Sequence, residues 1–326
     1  MKRNIWLAWT VYMVVMIAFS GCQADGHAPR RVSTPEPPAD RETLARSYAP
    51  VIHQGAASDQ DFITAVNFDN DWIGNNNWQN QPTGDLAARV YYAVFETDTH
   101  WYLFYSLFHP RDYTPEPCAE SDGCHENDME SLQVVVAKDG SALGHLQALL
   151  TLAHNHIYLY AGEDRVRRGA LKVAGQVRRE GTHPQVWVEA YGHGIYGRPR
   201  GQKPGSITYR PGTGAEVPAS LEDEDVRYEL VSIYDTLWPR RQEMGPGKLF
   251  DQPFVYRHQL LPAAFDGDDW GEDKANTPWG YAQEIGRRLE RGDFFLDPAR
   301  AFVYFASVPG RVSQTYRYNP FLEDLK

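Results

Sequence analysis

Hydrophobic and polar positions along this chain mostly alternate in short runs rich in Val, Tyr, Trp and Phe, broken by Gly, Pro, Asn and Asp. Such runs predict extended segments over 88–96, 100–108, 131–137, 157–160, 170–177, 185–191, 227–233 and 301–307. The clearest helical signal lies over 278–291. It opens on Thr277-Pro278, a cap residue followed by proline in the first turn, and stops at Gly292. Residues 145–153 read equally well as a short helix or as a strand. No internal repeat is visible. Folding is expected to begin near Leu44, and a mature chain of roughly 300 residues can bury one full core. Aromatic residues make up 13% of the sequence, which favours strands over helices. The pattern predicts a mainly β domain over 43–326, a β-sandwich flanked by α-helices and long loops.

The N-terminus follows a different pattern. Lys2 and Arg3 precede an apolar run from Ile5 to Phe19, and Phe19-Ser20-Gly21-Cys22 closes it. The run is short for a membrane span and has the layout of an export signal. The tetrapeptide resembles a bacterial lipobox, which implies cleavage of residues 1–21 and lipidation of the Cys22 thiol. The alternative is an uncleaved N-terminal anchor. Either way the chain is expected outside the cytosol, on a membrane. Residues 22–42 carry Pro29, Pro35, Pro37 and Pro38 among polar neighbours and read as a flexible tether. Gln23 stands where many inner-membrane lipoproteins carry Asp, so the outer membrane of a bacterial envelope is the expected location, facing the periplasm or the surface.

Charge narrows the partners. The formal charge is −11, and losing Lys2 and Arg3 with the signal takes it two units further, to −13. An acidic chain does not suit nucleic acid, whose phosphates need a basic face. It is also a poor fit for adsorption to anionic lipid, so the acyl chains are expected to do the anchoring. With Cys22 acylated, Cys118 and Cys124 remain, and in an oxidising compartment a disulfide is their natural pairing. So small a loop contributes only about 2 kcal/mol; its main effect is to set the shape of the segment before His125.

The richest chemistry lies in Tyr105-Ser106-Leu107-Phe108-His109-Pro110-Arg111-Asp112 and His125-Glu126-Asn127-Asp128-Met129-Glu130. The second stretch runs into the apolar strand Leu132 to Val136. With a period of two, Asp128 and Glu130 face one way and Met129 the other, toward the core. An antiparallel neighbour would bring Asp112 alongside. Three carboxylates and an imidazole brought together repel unless a cation compensates them, and oxygen-rich ligation suggests Ca²⁺ or Mg²⁺, with Mn²⁺ also possible. An acidic loop without an ion is the plain alternative.

These two stretches resemble the necrosis-inducing, cytolysin-like proteins of plant-associated microbes, whose hallmark is Gly-His-Arg-His-Asp-Trp-Glu. Aligned on the acids, the first histidine falls on His125, the aspartate on Asp128 and the glutamate on Glu130. The family's earlier metal aspartate, in a Phe-Pro-Lys-Asp segment, falls on Asp112. The resemblance implies that Asp112, His125, Asp128 and Glu130 surround a divalent cation, directly or through water, in a β-sandwich flanked by helices. Leu152-Ala153-His154 and the stretch from Pro184 to Tyr196 are similar to further family segments. Tyr48-Ala49-Pro50-Val51, and Trp270-Gly271 near Pro278-Trp279, are closer to a vacuolar protein sorting family with the same acid–histidine cluster. Cys124, Glu126, Asn127 and Met129 replace Gly, Arg, His and Trp of the hallmark. The ion site is therefore carried over and plant-cell killing is not.

His154 and His193 would stand near the ion, as groups orienting its ligands, as an acid/base, or as satisfied interior histidines. Asp69-Asn70-Asp71 and the acidic stretch Asp266 to Asp273 read as solvated turns unless they converge on one pocket. Gly-x-Ser-x-Gly, P-loop, dinucleotide and His-Glu-x-x-His motifs are all missing. The expectation is a monomeric, non-enzymatic, lipid-anchored envelope protein. Its divalent cation would present a site for a polar ligand such as a glycan or lipid headgroup. The alternative is a metal-dependent hydrolase using the same ion, with His193 as acid/base.

Overall fold

The computed structural model describes residues 39–118, 123–199, 205–267, 275–282 and 288–326. The expected signal, Cys22 and most of the tether lie outside these residues, as does most of the acidic stretch around Trp270. The described strands are β1 (Val51–Ala56), β2 (Arg89–Thr97), β3 (His100–Asp112), β4 (His125–Ala137), β5 (His145–Ala153), β6 (His156–Ala161), β7 (Arg167–Arg168), β8 (Val173–Gln176), β9 (Arg179–Glu180), β10 (His183–Val188), β11 (Ile195–Tyr196), β12 (Gly205–Pro211), β13 (Val226–Ser232), β14 (Phe250–Tyr256), β15 (Gln259–Phe265), β16 (Ala306–Ser307) and β17 (Tyr316–Tyr318). The described helices are α1 (Arg41–Tyr48), α2 (Asn77–Asn80), α3 (Asp293–Leu296), α4 (Pro298–Phe305) and α5 (Pro320–Glu323).

The chain is mainly β, as its patterning predicts. Thirteen strands join one mixed sheet in the order β11-β10-β1-β12-β13-β2-β3-β4-β5-β6-β8, with β9 on β10 and β17 on β2. The expected sandwich would need two separately hydrogen-bonded sheets. Here β13 pairs in parallel with both β12 and β2, so the two wings stay one ladder. The sheet curls instead, until Val186, Val188, Ile195, Ile207 and Tyr209 of one wing share a core with the other.

Alternation along the central strands explains that core. Trp101, Leu103, Tyr105 and Leu107 of β3 join Leu132, Val134 and Val136 of β4 in the enclosed cluster. Tyr102, Phe104 and Phe108, with Met129 and Val135, join a second cluster on the opposite face, against α3, α4 and the β14–β15 hairpin. β4 is buried along its whole length because both of its faces are covered. Phe104 packs edge-on against Phe295 with ring centroids 4.7 Å apart, and Phe295 packs against Phe321 at 4.8 Å. Residues 145–153 are a strand, which settles the ambiguity in that segment.

Two expectations are corrected. Residues 301–307, read as a strand, are largely α4, with only Ala306–Ser307 extended. Pro298 at the helix start and the buried Ala299, Phe302 and Phe305, spaced three apart, carry that helix into the second core. The expected helix over 278–291 is not formed at 278–282 or at 288–291; residues 283–287 lie outside the described set. Thr277 does not cap a helix. Its hydroxyl donates to the Pro262 carbonyl at 3.0 Å, tying the segment to the hairpin. Gly280 lies so close to the hairpin that a Cβ there would sit 2.1 Å from the Ala263 carbonyl oxygen.

Candidate cation site

The antiparallel register of β3 and β4 sets Asp112 opposite His125, His109 opposite Asp128 and Leu107 opposite Glu130. Strict alternation would send His125 and Asp128 to opposite faces. Asn127 between them has φ 54°, a left-handed turn that breaks the alternation. Asn127 is held in it by its amide, which donates to the Gly74 and Asp266 carbonyls at 2.8 and 2.6 Å. Glu126 accepts from the Trp78 amide. Glu126 and Asn127 therefore seat neighbouring loops. The Cys118–Cys124 disulfide forms, with Cα atoms 5.5 Å apart, just ahead of His125.

Asp112, His125, Asp128 and Glu130 line one cavity of about 460 Å³, together with His154, Asn155, Gln252, Asn276, Tyr281 and Arg291. The groups expected to act together are thus brought together. His125 Nε2 lies 3.4 Å from Asp112 Oδ2. Glu130 accepts from the His154 backbone N–H and from the Tyr281 hydroxyl, each at 3.0 Å. Burial, with Asp128 adding repulsion, pushes the Glu130 carboxyl up to about 8. Burial also raises Asp112, countered by its bond to His125 and reinforced by Asp128. Burial works against charge on His125, but the bond and field of Asp112, with Asp128, outweigh it and hold the imidazole at about 9.

His193 is not placed where an acid/base would have to be. Its ring is fully buried, with Nδ1 2.8 Å from Asp128 Oδ2 and Nε2 3.0 Å from Asp61 Oδ1. With both nitrogens engaged it has nothing to offer a substrate. Burial opposes its charge, yet Asp128 and Asp61 together raise it to about 10. His109 stacks on it, centroids 3.7 Å apart and planes within 8°, and burial beside that imidazolium drives His109 well below the ordinary histidine range.

His109, Asp128 and His193, all buried, offer ligand atoms within 4.8 Å of one another, and such a cluster could hold a metal ion. The stacking argues against that particular set. An imidazole ligates through a lone pair in its ring plane, and two stacked rings hold those lone pairs in parallel planes that do not meet at one ion. The cavity set has no such conflict.

His154 is half exposed and its Nε2 pairs with Glu189, which is the main reason its ring is raised to about 9. A second cavity of about 420 Å³, lined by Tyr113, Glu189 and Tyr191, shares Asp112, His125, His154 and Gly192 with the first. Backbone strain concentrates here: Asn127, His154, Asn155, Tyr191, His193 and Gln252 all have positive φ.

Sequence reasoning missed Asp61, Glu189 and Tyr281. Asp61 had a signal, since Ser58-x-x-Asp61 is a capping-box pattern and the box is formed. Asp69 and Asp71 spend their carboxylates on their own turn, accepting from the Asp71 and Ile73 amides and from Asn80 and Asn76.

Neither a family model nor a curated protein matches the chain. Solved structures similar to it are necrosis- and ethylene-inducing proteins. One is Necrosis and Ethylene inducing Protein 2 from the causal agent of cocoa's witches' broom disease, at 17% identity, covering 63% of this chain and 82% of that one, with a TM-score of 0.37. Another is the non-toxic HaNLP3 protein, at 13% identity, 61% and 78% coverage and a TM-score of 0.34. A third is NLPPya in complex with glucosamine, at 16% identity, 61% and 76% coverage and a TM-score of 0.32.

Proposed function

We propose that this protein is a lipid-anchored envelope protein whose domain holds one divalent cation among Asp112, His125, Asp128 and Glu130 and presents it to a polar ligand. The observation that carries the reading is the crowding of acidic groups. Three carboxylates converge on one cavity, and without an ion burial and mutual repulsion push Asp112 and Glu130 toward their protonated forms. Oxygen donors with a single imidazole suit Ca²⁺ or Mg²⁺, with Mn²⁺ next. The ion would tie the ends of β3 and β4 together and leave a coordination position toward the cavity. His154, Asn155, Gln252, Asn276 and Arg291 on the other walls offer hydrogen bonds to hydroxyls or to a headgroup, which supports a glycan or lipid headgroup as the ligand class.

Cation and protons compete for these ligands, so the affinity depends on pH with a definite sign. Glu130 holds its proton below about 8 and His125 below about 9. Ca²⁺ or Mn²⁺ affinity should therefore rise as pH increases from 6 to 9, by up to about tenfold per unit for each proton displaced. Calorimetric titration of the full-length chain at pH 6, 7, 8 and 9 measures this. No binding at any pH, or an affinity flat with pH, would sink the assignment of these ligands.

Anchoring rests on the Phe19-Ser20-Gly21-Cys22 sequence. A Cys22→Ala variant should lose incorporation of labelled palmitate in a bacterial host; labelling at the wild-type level overturns the lipobox.

One observation favours the second reading, a metal-dependent hydrolase. The cavity is concave and His154, held as an imidazolium by Glu189, lies in its wall, where it could give a proton to a leaving group. His154, and not the enclosed His193, would then be the acid/base. Turnover of a phosphate ester or a glycoside that is lost in His154→Gln, with cation affinity retained, would establish it.

A further inference from the structure

Asp61 lies on neither strand of the cation site, yet its carboxylate is the most heavily bonded group beside it. Fully buried, it accepts from the Ala57 and Ser58 amides at 2.6 and 3.2 Å, from the Tyr113 hydroxyl at 2.7 Å, from the Tyr191 amide at 2.7 Å and from His193 Nε2 at 3.0 Å. Those bonds come from the two residues before its own 3₁₀ turn (Asp59–Asp61), from the residue after β3 and from the loop that carries His193. The loop is held in an unfavourable form, with φ 72° at Tyr191 and 49° at His193. The His193 ring is thereby fixed against His109, and its remaining nitrogen meets Asp128 Oδ2 at 2.8 Å. Both ring nitrogens face carboxylate oxygens, so both donate, and the ring cannot itself be a ligand.

We propose that Asp61 is a positioning residue for the cation site, acting through His193 to hold one oxygen of Asp128 and leave the other aimed into the cavity. The inference rests on the cation reading above. It assigns to Asp61 the part played in metal centres by carboxylates that orient a ligand without touching the ion. The order differs from the familiar one: carboxylate to imidazole to carboxylate, with the second carboxylate as the ligand. Asp128 on its own could rotate about χ2 and offer the cation either oxygen. Anchored by the imidazolium, it presents one, and the entropy of ordering it is spent in folding and not in binding.

Mn²⁺ binding to the full-length chain, followed by its paramagnetic resonance signal, tests this. Wild type should bind, and Asp112→Ala should not. Asp61→Asn should weaken Mn²⁺ by about 10–100-fold, and His193→Asn by a similar factor. The Asp61→Asn/His193→Asn double variant should be no weaker than either single one, because both act along one path. Tyr113→Phe, which removes a different bond to Asp61, should leave Mn²⁺ affinity unchanged while lowering stability. If wild type does not bind Mn²⁺, the cation reading falls and the role of Asp61 falls with it. If wild type binds and Asp112→Ala does not, but Asp61→Asn binds as well as wild type, or the two losses simply add, the positioning role alone is overturned. Should Asp61→Asn fail to fold, His193→Asn decides: undiminished Mn²⁺ affinity in that variant overturns the path.

Discussion

Replacing His193 with alanine is expected to destabilise the protein by about 3–5 kcal/mol, the usual range when one partner of a buried ion pair is removed. The ring is fully enclosed between Asp61 and Asp128, and both carboxylates lie in the same interior. Removing it leaves two buried anions without their shared cation, and a cavity beside His109. Asp61 keeps its bonds to Tyr113 and to three backbone amides, so Asp128 suffers most. The loss should depend on pH. His193 titrates near 10 in the folded state, above the ordinary value of 6.5. Its contribution is therefore complete below about 6.5 and is lost as pH rises through 10. Urea unfolding of wild type and His193→Ala, with chelator present, should show the full difference at pH 6 and a much smaller one at pH 10. A difference below about 1 kcal/mol at pH 6 would mean that the two carboxylates do not depend on the imidazolium.

Removing the cation is expected to have the second large effect. An ion that binds the folded chain alone stabilises it by about 2.7 kcal/mol when present at a hundred times its dissociation constant. For a domain of this size that corresponds to a melting temperature about 4–5 °C lower after chelation. Ca²⁺ or Mg²⁺ added back should restore it. Asp128→Ala should melt at one temperature with or without the ion, since its carboxylate lies between His193 and the cavity and faces both Asp112 and Glu130. Differential scanning calorimetry over these four conditions is decisive. Identical melting of wild type with chelator and with each ion would remove the cation from the account.

Much of the strand content could be read from local pattern. The stretches 88–96 and 100–108 fall within a residue or so of β2 and the start of β3, because strands buried on both faces are near-continuous runs of Val, Tyr, Phe and Leu, and 227–233 falls as closely on β13, where Val226, Tyr228 and Leu230 alternate with Arg227 and Glu229. The same signal misled at 301–307. Phe302, Val303, Tyr304 and Phe305 favour a strand by residue type, but burial spaced three and four apart, behind Pro298, makes them a helix. Thr277-Pro278 failed for a related reason. A hydroxyl that could cap a helix found a buried carbonyl of the hairpin instead, and no local rule distinguishes the two partners.

The site divides along the same line. Period-two spacing and an antiparallel neighbour, both present in the chain itself, pair Asp128 with Glu130 and Asp112 with His125; the left-handed turn at Asn127 brings the two pairs together. What the chain could not disclose was which groups come from far off. Asp61, Glu189 and Tyr281 reach the cavity or its ligands from segments tens of residues distant. Their roles follow from how the single sheet curls, which local residue preferences do not encode. His193 shows the difference most plainly. By residue type and proximity it could have been a base; enclosed between two carboxylates it can only hold one of them in place. Burial and partnership decide what an imidazole does, and both are properties of the folded chain alone.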